Sequence, residues 1–250
     1  MIAIERLRKT FGPLVAVDDL DCTIEAGTVF GFLGRNGAGK TTTIRMMMGL
    51  LEPTSGTVRL GGHDIATAPD AAKRMTGYLP DRPHLYDKLT GLEYLKFVGG
   101  LFDIARRDAR RRALELLDDM RLGAQGGELV ETFSHGMKQR LAMAGALMHR
   151  PRILVLDEPM VGLDPEGARE LKTRIAGLAA DGVTVFLSTH SLAVAEEVCG
   201  RIGILDRGRL VALGSLDDLR ARAKTAAGAE GQGRTLEDVF LDILHAKAAK

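Results

Sequence analysis

Several features that restrict the possible functions are scarce or missing in this 250-residue sequence. It has no Trp, and 34 Lys and Arg residues nearly balance 33 Asp and Glu residues, leaving a net charge of +1. This balance argues against a histone-like or tail-driven nucleic-acid binder, because such proteins need excess cations to displace counterions. The two cysteines, Cys22 and Cys199, have no metal or redox spacing, and we expect them to be small buried residues. No nucleic-acid partner and no cysteine-based site are expected.

Long apolar runs are also missing. A membrane-spanning helix needs about 18 to 20 apolar residues, and the longest candidate, Leu141–Met148, is far shorter. The first residues lack the apolar core and cleavage site of a signal peptide. With 45% hydrophobic and 27% charged residues, the composition is typical of a globular protein. We therefore expect the chain alone to be soluble and cytosolic.

Strands and helices alternate along most of the chain. Apolar residues alternate with polar ones over Ile2–Leu7, and residues 53–65 have the turn residues of a hairpin. The nearly continuous apolar runs at 28–34, 153–159 and 183–190 are typical of strands that are buried on both faces. Helical periodicity separates these runs. The pattern predicts an α/β fold with a parallel sheet at its core.

The domain organisation follows from changes in periodicity. Helical spacing dominates residues 83–150, which predicts a helical subdomain inserted into a core made of residues 1–82 and 151–214. Residues 215–250 are predicted to form a C-terminal linker and a short helical tail. In this tail, Ala223–Arg234 is small, polar and Gly-rich, and Thr235–Leu244 has an N-cap Thr and an apolar face.

The segment Gly34–Thr41 reads GRNGAGKT and fits the pattern G-x-x-x-x-G-K-[ST]. Glycines at this spacing let backbone N–H groups converge on phosphate oxygens, and the helix that follows presents its positive end. Lys40 is expected to reach the β- and γ-phosphates, and Thr41 to bind Mg²⁺. A Gly-rich turn without function is the alternative, but the preceding strand and following helix favour a phosphate site. The predicted nucleotide contacts here are Gly34, Asn36, Gly37, Ala38, Gly39, Lys40, Thr41 and Thr42.

The choice of base is narrowed by one residue type. Asn36 is the only Asn in the chain, so the guanine-reading motif N-K-x-D cannot occur. Adenine or an unselective base pocket remains.

An acidic pair, Asp157 and Glu158, ends the apolar run ILVL. A carboxylate at the end of a buried strand beside the phosphate loop would bind Mg²⁺ directly or through water, and the next carboxylate could polarise an attacking water. A surface acidic pair would be the simpler interpretation without the phosphate loop. Together with the loop, the pair predicts a site of nucleotide hydrolysis.

Three further segments complete a recognisable series. SHGMKQR (Ser134–Arg140) precedes the acidic pair, GLDP (Gly162–Pro165) follows it, and STH (Ser188–His190) ends the next strand. With the phosphate loop, in this order and spacing, the chain up to about Gly214 resembles the ATP-binding subunit of an ABC transporter. The resemblance implies a P-loop NTPase (RecA-like) core with an N-terminal antiparallel β subdomain, and ATP and Mg²⁺ as ligands.

The resemblance also implies roles for single residues. Glu158 matches the catalytic base, His190 the switch histidine, and Asp157 the magnesium-associated carboxylate. Phe11 matches an aromatic residue that stacks on adenine, with a core Phe as the alternative. Other matches involve a second subunit: the family's signature, here Ser134 and Gly136, contacts the γ-phosphate held by the opposite copy, and the residue matching Asp164 crosses the interface. The implied assembly is a head-to-tail homodimer.

Two positions depart from the family pattern. The family usually has Gln at the end of the strand at 77–81, but no Gln precedes Gln125, so Asp81 is the candidate replacement. A carboxylate still accepts a hydrogen bond from Mg²⁺-bound water but cannot donate one as an amide does, which puts the coupling between ATP and a partner in doubt. His135 stands where the signature usually has Gly. We expect its side chain to point outward, and a pH-sensitive contact remains the alternative.

The expected function is a transport ATPase. ATP-driven dimer closure and hydrolysis would power movement of a substrate through a separate integral membrane permease subunit, which would dock near Asp81–Leu101 and hold this chain peripherally on the cytoplasmic face of the membrane. The segments YLPDRPHLYDKLTGLEYLKF and TLEDVFL resemble those of the exporter-type ATPase subunits of bacteria, so the transport is expected to be export.

Two alternatives stay open. A soluble ABC-type ATPase of DNA or translation processes is disfavoured because the segment between Lys40 and Ser134 is too short for long coiled coils and only one such domain is present. A non-hydrolysing regulatory ATP binder is disfavoured by Glu158 and His190.

Overall fold

The computed structural model describes residues 1–227 and residue 240. In this part of the chain the strands are β1 (Ile2–Phe11), β2 (Leu14–Ile24), β3 (Val29–Gly34), β4 (Ser55–Leu60), β5 (His63–Asp64), β6 (Thr76–Leu79), β7 (Ile153–Asp157), β8 (Thr184–Thr189), β9 (Arg201–Asp206) and β10 (Arg209–Gly214). The helices are α1 (Lys40–Met47), α2 (Pro69–Arg74), α3 (Gly91–Leu101), α4 (Arg106–Asp119), α5 (His135–Leu147), α6 (Pro165–Ala180), α7 (Leu192–Val198) and α8 (Leu216–Ala227), with a 3₁₀ turn at Val130–Thr132.

The predicted parallel core is confirmed. The central sheet has the strand order β10-β9-β3-β8-β7-β6, and all neighbours are parallel except the antiparallel edge pair β9–β10. Every residue of β3, β7 and β8 is buried, because structure covers both faces of the sheet. Phe186 of β8 contacts Phe30 and Phe32 of β3, with ring centroids 5.7 and 5.2 Å apart.

The N-terminal antiparallel subdomain is also present. Its sheet has the order β2-β1-β4-β5, with antiparallel pairing throughout. The predicted hairpin at 53–65 corresponds to β4 and β5. Apolar side chains from this sheet, such as Ile4 and Leu20, share one core cluster with Met46 and Met47 of α1. The small sheet and the phosphate-loop helix are thereby packed together.

Helices fill the predicted insertion. α3 begins with a capping box, in which the Glu93 N–H donates to Thr90 Oγ1 (3.2 Å) and the Thr90 N–H donates to Glu93 Oε2 (2.9 Å). The periodic residues Leu95, Leu116 and Leu117 are buried in one cluster with side chains of α5. α3, α4 and α5 all lie within residues 83–150; the domain limits themselves stay a prediction.

The C-terminal segment differs in part from expectation. α8 continues to Ala227 and so includes the first residues of the predicted linker Ala223–Arg234. Its start is well defined, because Ser215 Oγ accepts from the Asp218 N–H (3.1 Å) and Asp218 Oδ2 accepts from the Ser215 N–H (2.8 Å). Apart from Phe240, which is buried beside β3, β9 and α8, the predicted tail helix Thr235–Leu244 lies outside the described residues.

The cysteines are unpaired thiols. Cys22 is buried as predicted, whereas Cys199 is only partly buried. Burial raises the pKa of the Cys22 thiol to about 11 and that of Cys199 to about 12, so both are protonated at neutral pH. Among the helices of the described residues, none has the length and apolar composition that crossing a membrane requires.

Candidate active site

A cleft lies at the edge of the central sheet where the parallel strands end. The carboxyl ends of parallel strands meet at the same edge, so the segments that follow β3, β6, β7 and β8 converge there. The cleft has a volume of about 820 Å³. Ten of the predicted site residues line it: Phe11, Asn36, Gly37, Gly39, Lys40, Thr41, Thr42, Asp81, Glu158 and His190. Residues that are distant in sequence therefore share one site.

The phosphate loop depends on glycine at one position in particular. Gly39 has φ +108°, and a Cβ built there would lie 2.5 Å from the carbonyl oxygen of Ala16 in β2. Both the backbone angle and the space exclude a side chain. α1 begins at the next residue, Lys40, and no side chain caps its first turn. Its free N–H groups and positive dipole end create a site for an anion.

Lys40 is a buried cation held by oxygen atoms. Its side chain is 6% exposed, and its ammonium group donates to the carbonyls of Gly34 (2.8 Å) and Arg35 (3.4 Å). Its Nζ atom also lies 3.3 Å from Oε1 of Glu158. The lysine at the end of the phosphate loop and the acidic residue after β7 thus form an ion pair.

Glu158 connects this lysine to the histidine after β8. Its Oε2 atom is 2.9 Å from Nδ1 of His190, while its backbone N–H donates to Ser188 Oγ (3.1 Å). Glu158 has φ +50°, a left-handed conformation that is uncommon for residues other than glycine. Strained backbone of this kind is typical of functional sites, where surrounding contacts hold a side chain in one place.

Asp157 lies beneath the cleft. It is 1% exposed, and its Oδ1 atom accepts a hydrogen bond from the Ser188 hydroxyl at 2.5 Å. Burial raises the pKa of Asp157, while hydrogen bonds from Ser188 and Thr41 act in the opposite direction. From the sequence, the STH segment pointed only to His190, and Ser188 was not predicted. The signal for Ser188 was a hydroxyl residue at the end of one apolar run, with an acidic residue at the end of the run before it.

Asp81 and Phe11 both line the cleft. Asp81 is half-buried after β6, among the cleft residues. Phe11 is 48% exposed, with the Lys9 ammonium 5.2 Å from its ring centroid, so it is not the core Phe of the alternative interpretation. An exposed aromatic face that lines a cleft can stack on a planar ligand.

Ser134, Gly136 and Asp164 do not line this cleft. Ser134 caps α5, where its hydroxyl accepts from the Met137 N–H at 3.3 Å, and Asp164 caps α6 by accepting from the Gly167 N–H at 2.7 Å. The two helix starts are neighbours, since a Cβ on Gly136 would lie 3.9 Å from Leu163. They form a separate exposed surface of the same chain.

His135 belongs to this second surface. Its side chain is exposed, as expected for an outward-pointing residue, but its ring also lies against the loop before α6. A Cβ on Gly162 would come within 2.4 Å of the imidazole. The residue that replaces the usual signature glycine therefore contacts the GLDP segment.

Seven cleft residues were not among the predicted site residues: Leu14, Val15, Ala16, Arg35, Val161, Arg207 and Gly208. Arg35 is part of the phosphate loop, and Val161 lies close to Glu158 in sequence. The others come from β2 and from the turn between β9 and β10, which have no phosphate-binding pattern of their own. No local signal identifies them, because only the packing of these segments against the phosphate loop brings them to the cleft.

Comparisons with known proteins agree with this geometry. Residues 17–161 match the family described as ABC transporter. The linearmycin resistance ATP-binding protein LnrL of Bacillus subtilis is 37% identical over 222 residues, which cover 89% of this chain and 71% of LnrL.

Solved structures give the same result. An ATP-binding subunit of an ABC transporter superposes with a TM-score of 0.89 at 31% identity, covering 98% of this chain and 99% of the other. The ATP-binding cassette MJ0796, solved as a dimer in a post-hydrolysis state with ADP and Pi, gives 0.78 at 26% identity, over 86% and 99% of the two chains. The chain therefore belongs to the ABC transporter family, and within it to the ATP-binding components that hydrolyse ATP.

Proposed function

We propose that the cleft binds ATP with adenine at Phe11 and the triphosphate along the phosphate loop. The observation that carries the proposal is the position of Glu158 in the cleft, with one carboxylate oxygen 3.3 Å from Lys40 Nζ and the other 2.9 Å from His190 Nδ1. Lys40 would exchange its carbonyl and carboxylate partners for the β- and γ-phosphate oxygens. The free N–H groups from Gly34 to Thr42 would bind the remaining phosphate oxygens.

Mg²⁺ fits the side chains beside this loop. Thr41, Asp157 and Asp81 offer the hard oxygen donors that Mg²⁺ prefers. In the described part of the chain no three His, Cys, Asp or Glu side chains cluster as a self-sufficient metal site. This agrees with a cation that takes one or two carboxylates and completes its shell with substrate phosphates and water. When bound, Mg²⁺ would neutralise charge on the β- and γ-phosphates.

In hydrolysis, Glu158 accepts the proton of the attacking water. His190 lies against Glu158 Oε2 and is more than half exposed toward the cleft, so it can hydrogen-bond the γ-phosphate and orient that water. The products are ADP and phosphate. Loss of the γ-phosphate removes the contacts that Lys40 and His190 made with it.

The residues outside the cleft supply the argument for a dimer. Ser134 and Gly136 begin α5, whose N-terminal N–H groups can bind an anion, and the cleft of the same chain does not include them. We infer that they contact the γ-phosphate held by a second copy in a head-to-tail homodimer, with Asp164 at the interface. ATP then becomes part of the interface, and hydrolysis releases the clamp.

We further propose that this ATPase powers export through a separate membrane permease, at the cytoplasmic face of the membrane. The permease would dock near Asp81–Leu101, where a groove of about 360 Å³ lies between the core and the helical insertion. The exposed rings of Tyr86 and Phe97 contact each other edge to face beside it (5.2 Å) and present apolar surface. The resistance function in the name of LnrL supports export.

Two measurements test this function. The purified chain should release phosphate from ATP only with Mg²⁺, and Lys40→Met should abolish both ATP binding and turnover. Lys96→Met, on the exposed face of α3, is the matched control and should keep both. Co-purification of the chain with a multi-span membrane protein tests the transporter role. If the chain hydrolyses ATP but co-purifies with no membrane protein, a soluble ABC-type ATPase is favoured. ATP binding without hydrolysis would favour a regulatory binder.

A further inference from the structure

The turn between β9 and β10 has an unusual residue in a demanding position. Arg207 and Gly208 join the paired residues Asp206 and Arg209, with φ +48° and +79°. Two-residue hairpin turns with both central residues at positive φ strongly favour Asn, Asp or Gly at the first position. Arginine is poorly suited to this backbone. Arg6 has a similar backbone angle (φ +46°) away from the cleft, so it is the position of Arg207 beside the phosphate loop that points to a use for its side chain.

The turn is held rigidly beside the phosphate loop. The Gly208 N–H donates to the carbonyl of Ala38 (2.8 Å), and the Gly208 carbonyl accepts from the Asp18 N–H of β2 (2.9 Å). A Cβ on Gly208 would lie 2.7 Å from Ala16 O, the same oxygen that excludes a side chain at Gly39. The phosphate loop, β2 and the turn therefore meet closely, and Arg207 cannot move far from the cleft.

The Arg207 side chain has no partner within the described residues. Its neighbour Arg209 donates to Asp18 Oδ2 (2.8 Å), and Arg8 binds the other oxygen of the same carboxylate (2.6 Å). Arg207 has no ion pair or hydrogen bond of this kind, is exposed, and lines the cleft. Its guanidinium group is thus a free cation at the edge of an anion-binding site.

We propose that Arg207 is a nucleotide-binding residue that contacts the phosphates nearest the ribose. The turn is attached to Ala38 and to β2, whose first residues lie at the Phe11 end of the cleft. Glu158 and His190, which would contact the γ-phosphate, follow β7 and β8. Neither of these segments makes the hydrogen bonds that hold the turn. A planar guanidinium with several donors is well suited to phosphate oxygens. This inference rests on the proposed binding of ATP in the cleft.

The test compares Arg207→Asn with wild type by calorimetric titration with ATP and with ADP. Because an exposed charged hydrogen bond is lost, affinity should fall about five- to tenfold. The factor should be the same for both nucleotides, since both have the ribose-proximal phosphates, and it should shrink at high salt. Asn adopts positive φ more readily than Arg, so the melting temperature without nucleotide should not fall.

A matched control separates this role from a general effect of charge. Arg6→Asn removes an exposed arginine with φ +46° that does not line the cleft, and it should leave both affinities unchanged. Equal affinity in Arg207→Asn and wild type would overturn the inference, with the proposed function intact. A loss for ATP alone would move the contact to the γ-phosphate and overturn the placement. Failure of the wild type to bind either nucleotide would instead overturn the proposed function itself.

Discussion

Replacing Glu158 by Gln changes one functional atom while keeping the shape of the site. Glu158 has its Oε1 3.3 Å from Lys40 Nζ and its Oε2 2.9 Å from His190 Nδ1. The amide of Gln can occupy the same space and still hydrogen-bond His190. It has no negative charge and cannot accept a proton from the attacking water. Glu158→Gln therefore isolates the proton-accepting role from the packing of the site.

The magnitudes separate the effect on turnover from the effect on stability. Loss of a general base lowers the rate by about 10²- to 10⁴-fold, which raises the barrier by about 3 to 5 kcal/mol. In the nucleotide-free protein, Lys40 keeps its hydrogen bonds to the carbonyls of Gly34 and Arg35. Because the Gln amide oxygen can still accept a hydrogen bond, loss of the charge of this buried pair should cost about 1 to 3 kcal/mol of folding free energy. The variant should stay folded and should bind ATP at least as well, because a negative charge near the γ-phosphate is removed.

The assay is phosphate release at saturating ATP and Mg²⁺, with size-exclusion chromatography in ATP to detect a dimer. We expect turnover to fall to background and the ATP-bound dimer to accumulate. Glu52→Gln, an exposed change outside the cleft, is the control and should behave as wild type. Turnover within about tenfold of wild type would exclude Glu158 as the base, since the expected loss is about 10²-fold or more.

Four more predictions follow from single contacts. Asp81→Ala should reduce stimulation by the membrane partner more than it reduces the basal ATPase rate; equal stimulation would exclude a coupling role. Ser134→Ala removes the cap of α5, so urea unfolding should show a loss of about 1 kcal/mol, and the ATP-bound dimer should be lost. Gly39→Ala places a Cβ 2.5 Å from Ala16 O, and the melting-temperature increase caused by ATP should disappear; an unchanged increase would contradict the geometry. Burial lowers the pKa of His149 from 6.5 to about 4, so its contribution to stability is present above pH 6.5 and is lost as pH falls toward 4. Urea unfolding at pH 7.5 and 5 should show a decrease of about 1 kcal/mol in wild type, allowing for partial exposure, and a smaller one in His149→Phe.

Elements with strong local patterns were predictable. β3, β7 and β8 have continuous apolar runs, and the helical insertion has regular apolar spacing, so both were identified from the sequence. α2 and α7 were not, because helices of 6 and 7 residues make less than two turns of repeating pattern. No helix was predicted at α8 for a different reason, since the composition of Ala223–Arg234, which overlaps its end, resembles that of a linker.

The residues of the candidate site also fall into two groups, those predictable from local sequence and those that only the fold brings together. The phosphate loop and the acidic pair were identified because their chemistry depends on residues next to each other in the chain. Three other features could not be identified from the sequence, because only the sheet brings the segments concerned together. They are the hydrogen bond from Ser188 to Asp157, the ion pair of Lys40 with Glu158, and the free guanidinium of Arg207 beside the phosphate loop.

The sequence by itself determined the α/β architecture, the phosphate loop and the absence of a guanine-reading motif, because these depend on local periodicity, spacing and composition. Only the tertiary structure decided which predicted residues share a cleft. It put Phe11, Lys40, Glu158 and His190 in one cleft, with Glu158 in contact with both Lys40 and His190, while Ser134, Gly136 and Asp164 lie on another surface. The physical reason is the parallel sheet, whose strand ends converge at one edge whatever their separation along the chain.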